Sequence, residues 1–403
     1  MAAETLHLFT MSYPYGNGEP FLENELNYLA TKFKKIFIYP ENVAQTKREL
    51  PGNVELRDLE TAKLKYSTLN IMMGNLGLIL NVHLKEIFKA NRNNTYLKHF
   101  REYNSRFCRS VAAANNISEK VKDNGNDIFY SFWMNGNAEA LSVLKKRKKI
   151  KKFVFRTNGF DLYDVQAKYH YIPFRPFIFQ QADKMFAVAK KGSEYMKSFN
   201  ICPEKITYSY FGTEDHGISV FKPEEKFTLF TCSDLRSIKR VDSMVDILKN
   251  IDFPVKWIHH GHKGDNEKVF YEKIKQLPSS VEFVLHERKE NYNDVLKFFK
   301  ENHFNLFVLL SSIEGLPVSL IEAMSFGIPL LATDVGGVSE VISSENGILI
   351  EKDFDPEATA GKIVAFSKSE MNTAEFRKKV RKDWEQRFSA KTNYENFYQK
   401  LIA

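Results

Sequence analysis

Short apolar runs alternate with amphipathic segments along the whole chain. In the first half they fall at 5–10, 35–39, 128–132, 153–156 and 184–187, and in the second at 227–232, 255–259, 282–285, 306–310 and 330–333. Runs that are apolar at successive rather than alternate positions predict parallel strands covered on both faces. Strands separated by helical segments predict βαβ units, hence an α/β fold. In a chain of 403 residues that pattern fits two Rossmann-like, doubly wound domains. Turn residues and mixed charge over 209–223 put the boundary there, between an N-terminal domain, 1–214, and a C-terminal domain, 215–403. Two such domains facing each other leave a cleft at the carboxyl ends of their strands, where these folds bind ligands. A further amphipathic helix is predicted over 70–91, with Ile71, Met72, Leu76, Ile79, Leu80, Val82 and Leu84. Its mixed faces suit an interfacial helix, part of an acceptor-binding pair, or ordinary packing.

The stretch 310–337, LSSIEGLPVSLIEAMSFGIPLLATDVGG, is the most informative. An apolar run at 304–310 reads as a buried strand and 311–316 as a tight loop. Pro317 suits the first helical position, where its missing N–H costs nothing. Gly327 stands where a helix end wants a left-handed residue, and 328–333 reads as the next buried strand. The helix start offers amides and a positive dipole end to an anion. A diphosphate would sit against the amides near Gly315 and Leu316. Glu314 would face one side of it. Glu322, about 7–8 Å further along the helix axis, would face a ribose on the other. Carboxylates accept hydrogen bonds from vicinal hydroxyls, so both partners read as sugars. Gly336 and Gly337, after Asp334, offer further amides near the same strand ends.

Other residues add to this site. Lys239 follows the first strand of the second domain and can reach a diphosphate as a point charge. Gly16 and Gly18 follow the first strand, where glycine lets backbone approach a ligand closely. They lack the third glycine and the acid of a dinucleotide fingerprint, and no phosphate-binding GxxxxGK[ST] loop is present. Glu23 and Glu25 read as part of the next helix and its capping. His259, His260 and His262 read as a loop beside the nucleotide rather than a metal cluster. No metal is expected: the helix dipole, the amides and Lys239 are left to balance the charge of a diphosphate.

Charge changes the picture of the first half only. Residues 1–220 carry 32 Lys/Arg against 22 Asp/Glu, whereas 221–403 carry 26 against 28. The densest run, 145–152, has seven cations in eight residues. It reads as a solvated helix end or as a patch for anionic headgroups, and no nucleic-acid-binding motif surrounds it. No apolar run reaches the length of a membrane span, and the start shows no leader pattern. Cys108, Cys202 and Cys232 lack metal spacing and read as reduced thiols. These features set the expectation of a cytoplasmic protein at the inner face of the plasma membrane.

The segment around Glu314 and Glu322 resembles the donor site of glycosyltransferase family 4, retaining enzymes of GT-B architecture. The segments 13–26, 155–163, 169–212, 233–242 and 384–397 resemble its polysaccharide-assembly branch in the same order. The resemblance implies a retaining transferase that moves a sugar from a nucleotide-diphosphate sugar, as co-substrate and without a cofactor, to a hydroxyl of a lipid-linked glycan. It implies that Glu314 faces the donor sugar, that Gly315, Leu316 and Pro317 hold the diphosphate, and that Glu322 holds the ribose. It also implies a last helix crossing back to the first domain, anchored by Trp384, Phe388 and Tyr394. Two positions depart from the pattern. Asp234 stands where an arginine is usual, so Arg236 or Arg240 is expected to supply the cation. Asn158 stands where histidine is common, which leaves it a positioning role beside Asp161. A nucleotide-sugar 2-epimerase of the same fold, or a non-catalytic scaffold, are the rival readings.

Overall fold

The computed structural model describes residues 5–16, 18–59, 66–90, 95–261, 263–287 and 292–403. The chain forms two compact units. One comprises Met1–Tyr210 with Tyr394–Ala403, and the other Phe211–Asn393. The first holds strands β1 (Thr5–Thr10), β2 (Lys35–Pro40), β3 (Val54–Leu56), β4 (Ile128–Ser131), β5 (Lys152–Thr157), β6 (Lys184–Ala187) and β7 (Ile206–Tyr208). The second holds β8 (Phe227–Cys232), β9 (Val255–Gly261), β10 (Val281–Glu287), β11 (Leu306–Leu309), β12 (Leu330–Thr333) and β13 (Gly347–Ile350). Their orders are β3-β2-β1-β4-β5-β6-β7 and β10-β9-β8-β11-β12-β13. Every pairing is parallel.

Both sheets are wound outward from their first strand. Strand order therefore reverses between β1 and β4, and again between β8 and β11. Loops that leave the carboxyl ends on either side of such a switch point diverge and open a crevice. The three strands that periodicity does not reveal, β3, β7 and β13, are three- or four-residue sheet edges. Half-exposed residues occur in each, so none presents a continuous apolar run.

The amphipathic segment predicted at 70–91 is two helices, Thr68–Gly74 and Leu76–Ala90, broken at Asn75, whose φ of −137° is not helical. At the break the Asn75 side chain donates to the Ile71 carbonyl and accepts from Arg147. Glu25 is not a cap. It is fully buried, 2.8 Å from the equally buried Arg156, and accepts the Tyr130 hydroxyl at 2.9 Å. Phe397 covers the Arg156 guanidinium at 4.2 Å. The last helix, Ala390–Ile402, does return to the first unit, where Tyr394, Phe397 and Leu401 are buried. Trp384 and Phe388, however, anchor the preceding segment inside the second unit. The Trp384 indole donates to Thr213, and the Phe388 carbonyl accepts the Thr213 amide.

The basic run 145–152 is partly spent on the fold. Lys145 reaches the Asp183 carboxylate at 2.6 Å, Arg147 donates to Asn115 at 2.7 Å, and Lys152 donates to the Ile402 carbonyl at 2.9 Å. Lys146, Lys148, Lys149 and Lys151 stay exposed. No helix among the described residues is long and apolar enough to cross a membrane.

Candidate functional site

Three loops of the second unit converge on the start of the helix Val318–Ser325. The loop after β8 ends in a short turn, Ser237–Lys239. The loop after β11 carries Ser311 to Pro317, and the loop after β12 carries Asp334 to Gly337. The first two are tied by the Ser312 amide donating to the Ile238 carbonyl at 2.8 Å. The last two are tied by the Gly337 amide donating to the Gly315 carbonyl at 2.8 Å. A Cβ on Gly336, whose φ is +53°, would stand 1.9 Å from the Glu314 carbonyl oxygen. Glycine there is what allows the two loops to touch.

This convergence brings Lys239 to Glu314, 75 positions apart in sequence. Lys239 Nζ donates to Glu314 Oε1 at 2.5 Å, and the two side chains are 22% and 10% exposed. The partly wet ion pair lies beside the switch point of the second sheet, at a helix N-terminus. Leu316 is buried. Pro317 caps the helix rather than opening it, because its ψ of 106° is extended and Val318 is the first helical residue. Gly327 has the expected left-handed φ, +72°. Glu322 lies one turn into the helix and is 6% exposed.

Arg240, one of the two arginines expected to supply the cation, is tied into the fold. In the left-handed region at φ +48°, it donates to the carbonyls of Leu310 at 2.7 Å, Ser311 at 3.2 Å and Lys352 at 2.8 Å, and covers Phe354. Its guanidinium braces the loop that carries Glu314. Asp234 is exposed. His259 and His260 lie inside β9, not in a loop. Burial lowers the His259 pKa to about 3, so its ring stays neutral and partners the Thr231 hydroxyl at 2.9 Å. His262 lies outside the described residues.

In the first unit the loop after β1 folds around its own acid. Glu19 accepts the amides of Met11, Ser12 and Tyr13 at 3.1, 2.7 and 2.7 Å, and the Trp133 indole N–H at 2.5 Å. The loop in which Gly16 and Gly18 were expected to let a ligand approach the backbone thus turns three of its amides, those of Met11, Ser12 and Tyr13, onto an internal carboxylate. The glycines serve the turn itself. Gly16 has φ +60°, and a Cβ on Gly18 would meet Ser12 Oγ at 2.4 Å.

Asp161 ties two other loops together, accepting the amides of Asn158 at 2.8 Å and Met134 at 2.9 Å. The Asn158 amide nitrogen Nδ2 is buried and makes no hydrogen bond among the described residues. Burial pushes the Asp161 carboxyl up to about 6, against the lowering effect of those amides. The folded chain therefore keeps this proton over a range where the unfolded chain has released it. Its contribution is greatest below pH ~4 and is lost as pH rises through 6. In urea unfolding, Asp161→Asn should flatten the fall in stability between pH 4 and 6. An unchanged slope would refute the assignment.

Sequence reasoning missed a cavity of about 640 Å³ at the carboxyl ends of β1, β2, β4 and β5, lined among others by Glu41, Arg106, Arg109, Asn135, Phe160 and Asp161. Glu41 directly follows β2, and burial raises its pKa. Arg106 pairs with the buried Glu139 at 2.5 Å. The legible signals were an acid placed right after a buried strand and two arginines one helical turn apart.

Two parallel-sheet units of this topology define the GT-B architecture. Residues 213–386 match the family model for glycosyl transferases group 1. Among curated proteins the chain is similar to an uncharacterized glycosyltransferase of Methanocaldococcus jannaschii, 31% identical over 39% of this chain and 41% of the relative. It is also similar to the putative colanic acid biosynthesis glycosyltransferase WcaL of Salmonella typhimurium, 24% identical over 57% and 60%. The chain thus spans less than two thirds of either. Among solved structures, Anabaena HepE in complex with UDP-glucose superposes with a TM-score of 0.67 at 14% identity, covering 98% of this chain and 99% of that one.

Proposed function

We propose that the protein is a retaining glycosyltransferase that moves a hexose-type sugar from a nucleotide-diphosphate sugar to a hydroxyl of a lipid-linked glycan. The setting is bacterial surface polysaccharide synthesis at the inner face of the plasma membrane. The observation that carries this reading is the Lys239–Glu314 pair at a helix start beside the switch point. As the bond to the sugar breaks, the charge growing on a bound diphosphate comes to outweigh that of one carboxylate, so Lys239 passes from Glu314 to the leaving phosphate. Glu314 is then released toward the donor sugar, where it positions the ring and stabilises positive charge developing on it. The cation and the helix dipole offset the leaving charge, so the reaction proceeds without a divalent ion. No side chain at the site acts as covalent nucleophile. A donor phosphate oxygen takes the acceptor proton on the same face, and the donor's anomeric configuration is kept. The cavity after β1, β2, β4 and β5, with carboxylates, arginines and the exposed Phe160 ring, suits the acceptor glycan.

HepE was solved with UDP-glucose and WcaL is named for colanic acid biosynthesis; both support the substrate classes. The test is a thermal-shift panel of UDP-, GDP-, ADP- and CMP-sugars, followed by a transfer assay with the ligand that stabilises the chain. One nucleotide sugar should raise the melting temperature and support transfer that survives a chelator. A free epimerised nucleotide sugar formed without acceptor would overturn the reading in favour of an epimerase. No stabilisation by any donor would leave a scaffold.

A further inference from the structure

The helices Thr68–Gly74 and Leu76–Ala90 are apolar on two sides. Ile79 and Val82 are buried against the first unit, with His83 and Glu86 beside them. A second apolar set points away from the fold. Leu69, Met73, Leu76, Leu80, Leu84 and Phe88 are 49–76% exposed. On the longer helix Leu76, Leu80, Leu84 and Phe88 recur every four residues, a row about 18 Å long. Folding accounts for the buried side only. Half of the large apolar side chains exposed among the described residues lie between 69 and 100, so these do not belong to the normal scatter of single surface hydrophobics.

The electrostatics of this face point to one partner. Between Ser67 and Phe88 the sole acid is Glu86, which is 1% exposed, so no carboxylate reaches the surface. Lys85 lies on the outer side, next to the leucine row. Lys146 and Arg147 line one surface hollow together with Met73 and Leu76, and Lys148 and Lys149 are exposed at the same helix end. The face has no tryptophan or tyrosine, residues enriched where proteins grip proteins. Leucine and phenylalanine with a lysine rim and no acid suit an interfacial helix on anionic lipid.

We propose that this face seats on an anionic phospholipid surface, with Leu76, Leu80, Leu84 and Phe88 entering the acyl boundary and Lys85 and Lys146 meeting headgroups. It extends the membrane placement proposed above by naming the surface. The vesicle readout needs no sugar transfer, so either reading can fail alone.

The experiment is co-sedimentation of the full chain with phosphatidylcholine vesicles, with and without phosphatidylglycerol, at low and high salt. Binding should require phosphatidylglycerol and weaken with salt, because the cation contacts are screened. The double variant Leu80→Asp, Leu84→Asp should keep the parent's circular dichroism and lower the partition coefficient at least about tenfold. A second variant, Leu84→Trp, should gain a blue-shifted emission component on anionic vesicles. Parent-like partitioning of the double variant would overturn the proposal, as would a tryptophan whose emission does not move. So would a concentration-dependent dimer that the double variant abolishes while vesicles bind neither protein; that result would assign the face to a second copy of the chain.

Discussion

Lys239→Met is expected to lower the rate of sugar transfer by about 10²–10³-fold, the usual cost of deleting one group aimed at charge that develops in the transition state. Methionine keeps the length of the side chain and removes the ammonium, so the departing diphosphate loses its point charge. The fall should lie mainly in kcat, because the lysine is engaged by Glu314 before the donor arrives and is freed only as phosphate charge grows. Folding should change little. The pair is partly wet, and such pairs contribute about 0–1 kcal/mol. Steady-state kinetics against donor concentration, paired with a thermal melt, separates these effects. A variant that keeps kcat within a factor of three would remove Lys239 from the mechanism. A variant that melts far below the parent would show that the pair is structural.

Arg156→Met is expected to cost the fold about 3–5 kcal/mol at neutral pH, the range for removing one partner of a buried ion pair. Both members are fully buried, and Glu25 would be left with the Tyr130 hydroxyl in a site that already raises its pKa by desolvation. A carboxyl with raised proton affinity costs nothing below its unfolded pKa, and its penalty grows as pH rises. The deficit of the variant should therefore shrink towards pH 4. Urea unfolding at constant m measures both points. The double change Arg156→Met, Glu25→Leu should recover most of the loss, since an apolar pair of similar volume often matches a buried ion pair. A single variant as stable as the parent would mean that the pair is hydrated.

Much of the architecture was legible in local pattern. Apolar runs locate ten of the thirteen strands found among the described residues, because a buried parallel strand writes its burial into successive residues. The helix start near Pro317 and the stop at Gly327 were readable from turn and cap chemistry, to within one residue at the proline. The edge strands β3, β7 and β13 were not, since three or four residues, part of them half-exposed, carry no period.

The sequence by itself determined the fold class, the place of the candidate donor loop and the residue types available there. Only the tertiary structure decided what those residues do to one another. It joined Lys239 to Glu314 and Glu25 to Arg156, turned Arg240 into a brace, and filled the amides after β1 with Glu19. It also showed one apolar row buried and its neighbour facing outward on the same pair of helices. The physical reason is range. Hydrophobic period and cap chemistry act over a few residues, whereas a charge finds its partner through strand order, and strand order is set by how the whole sheet packs.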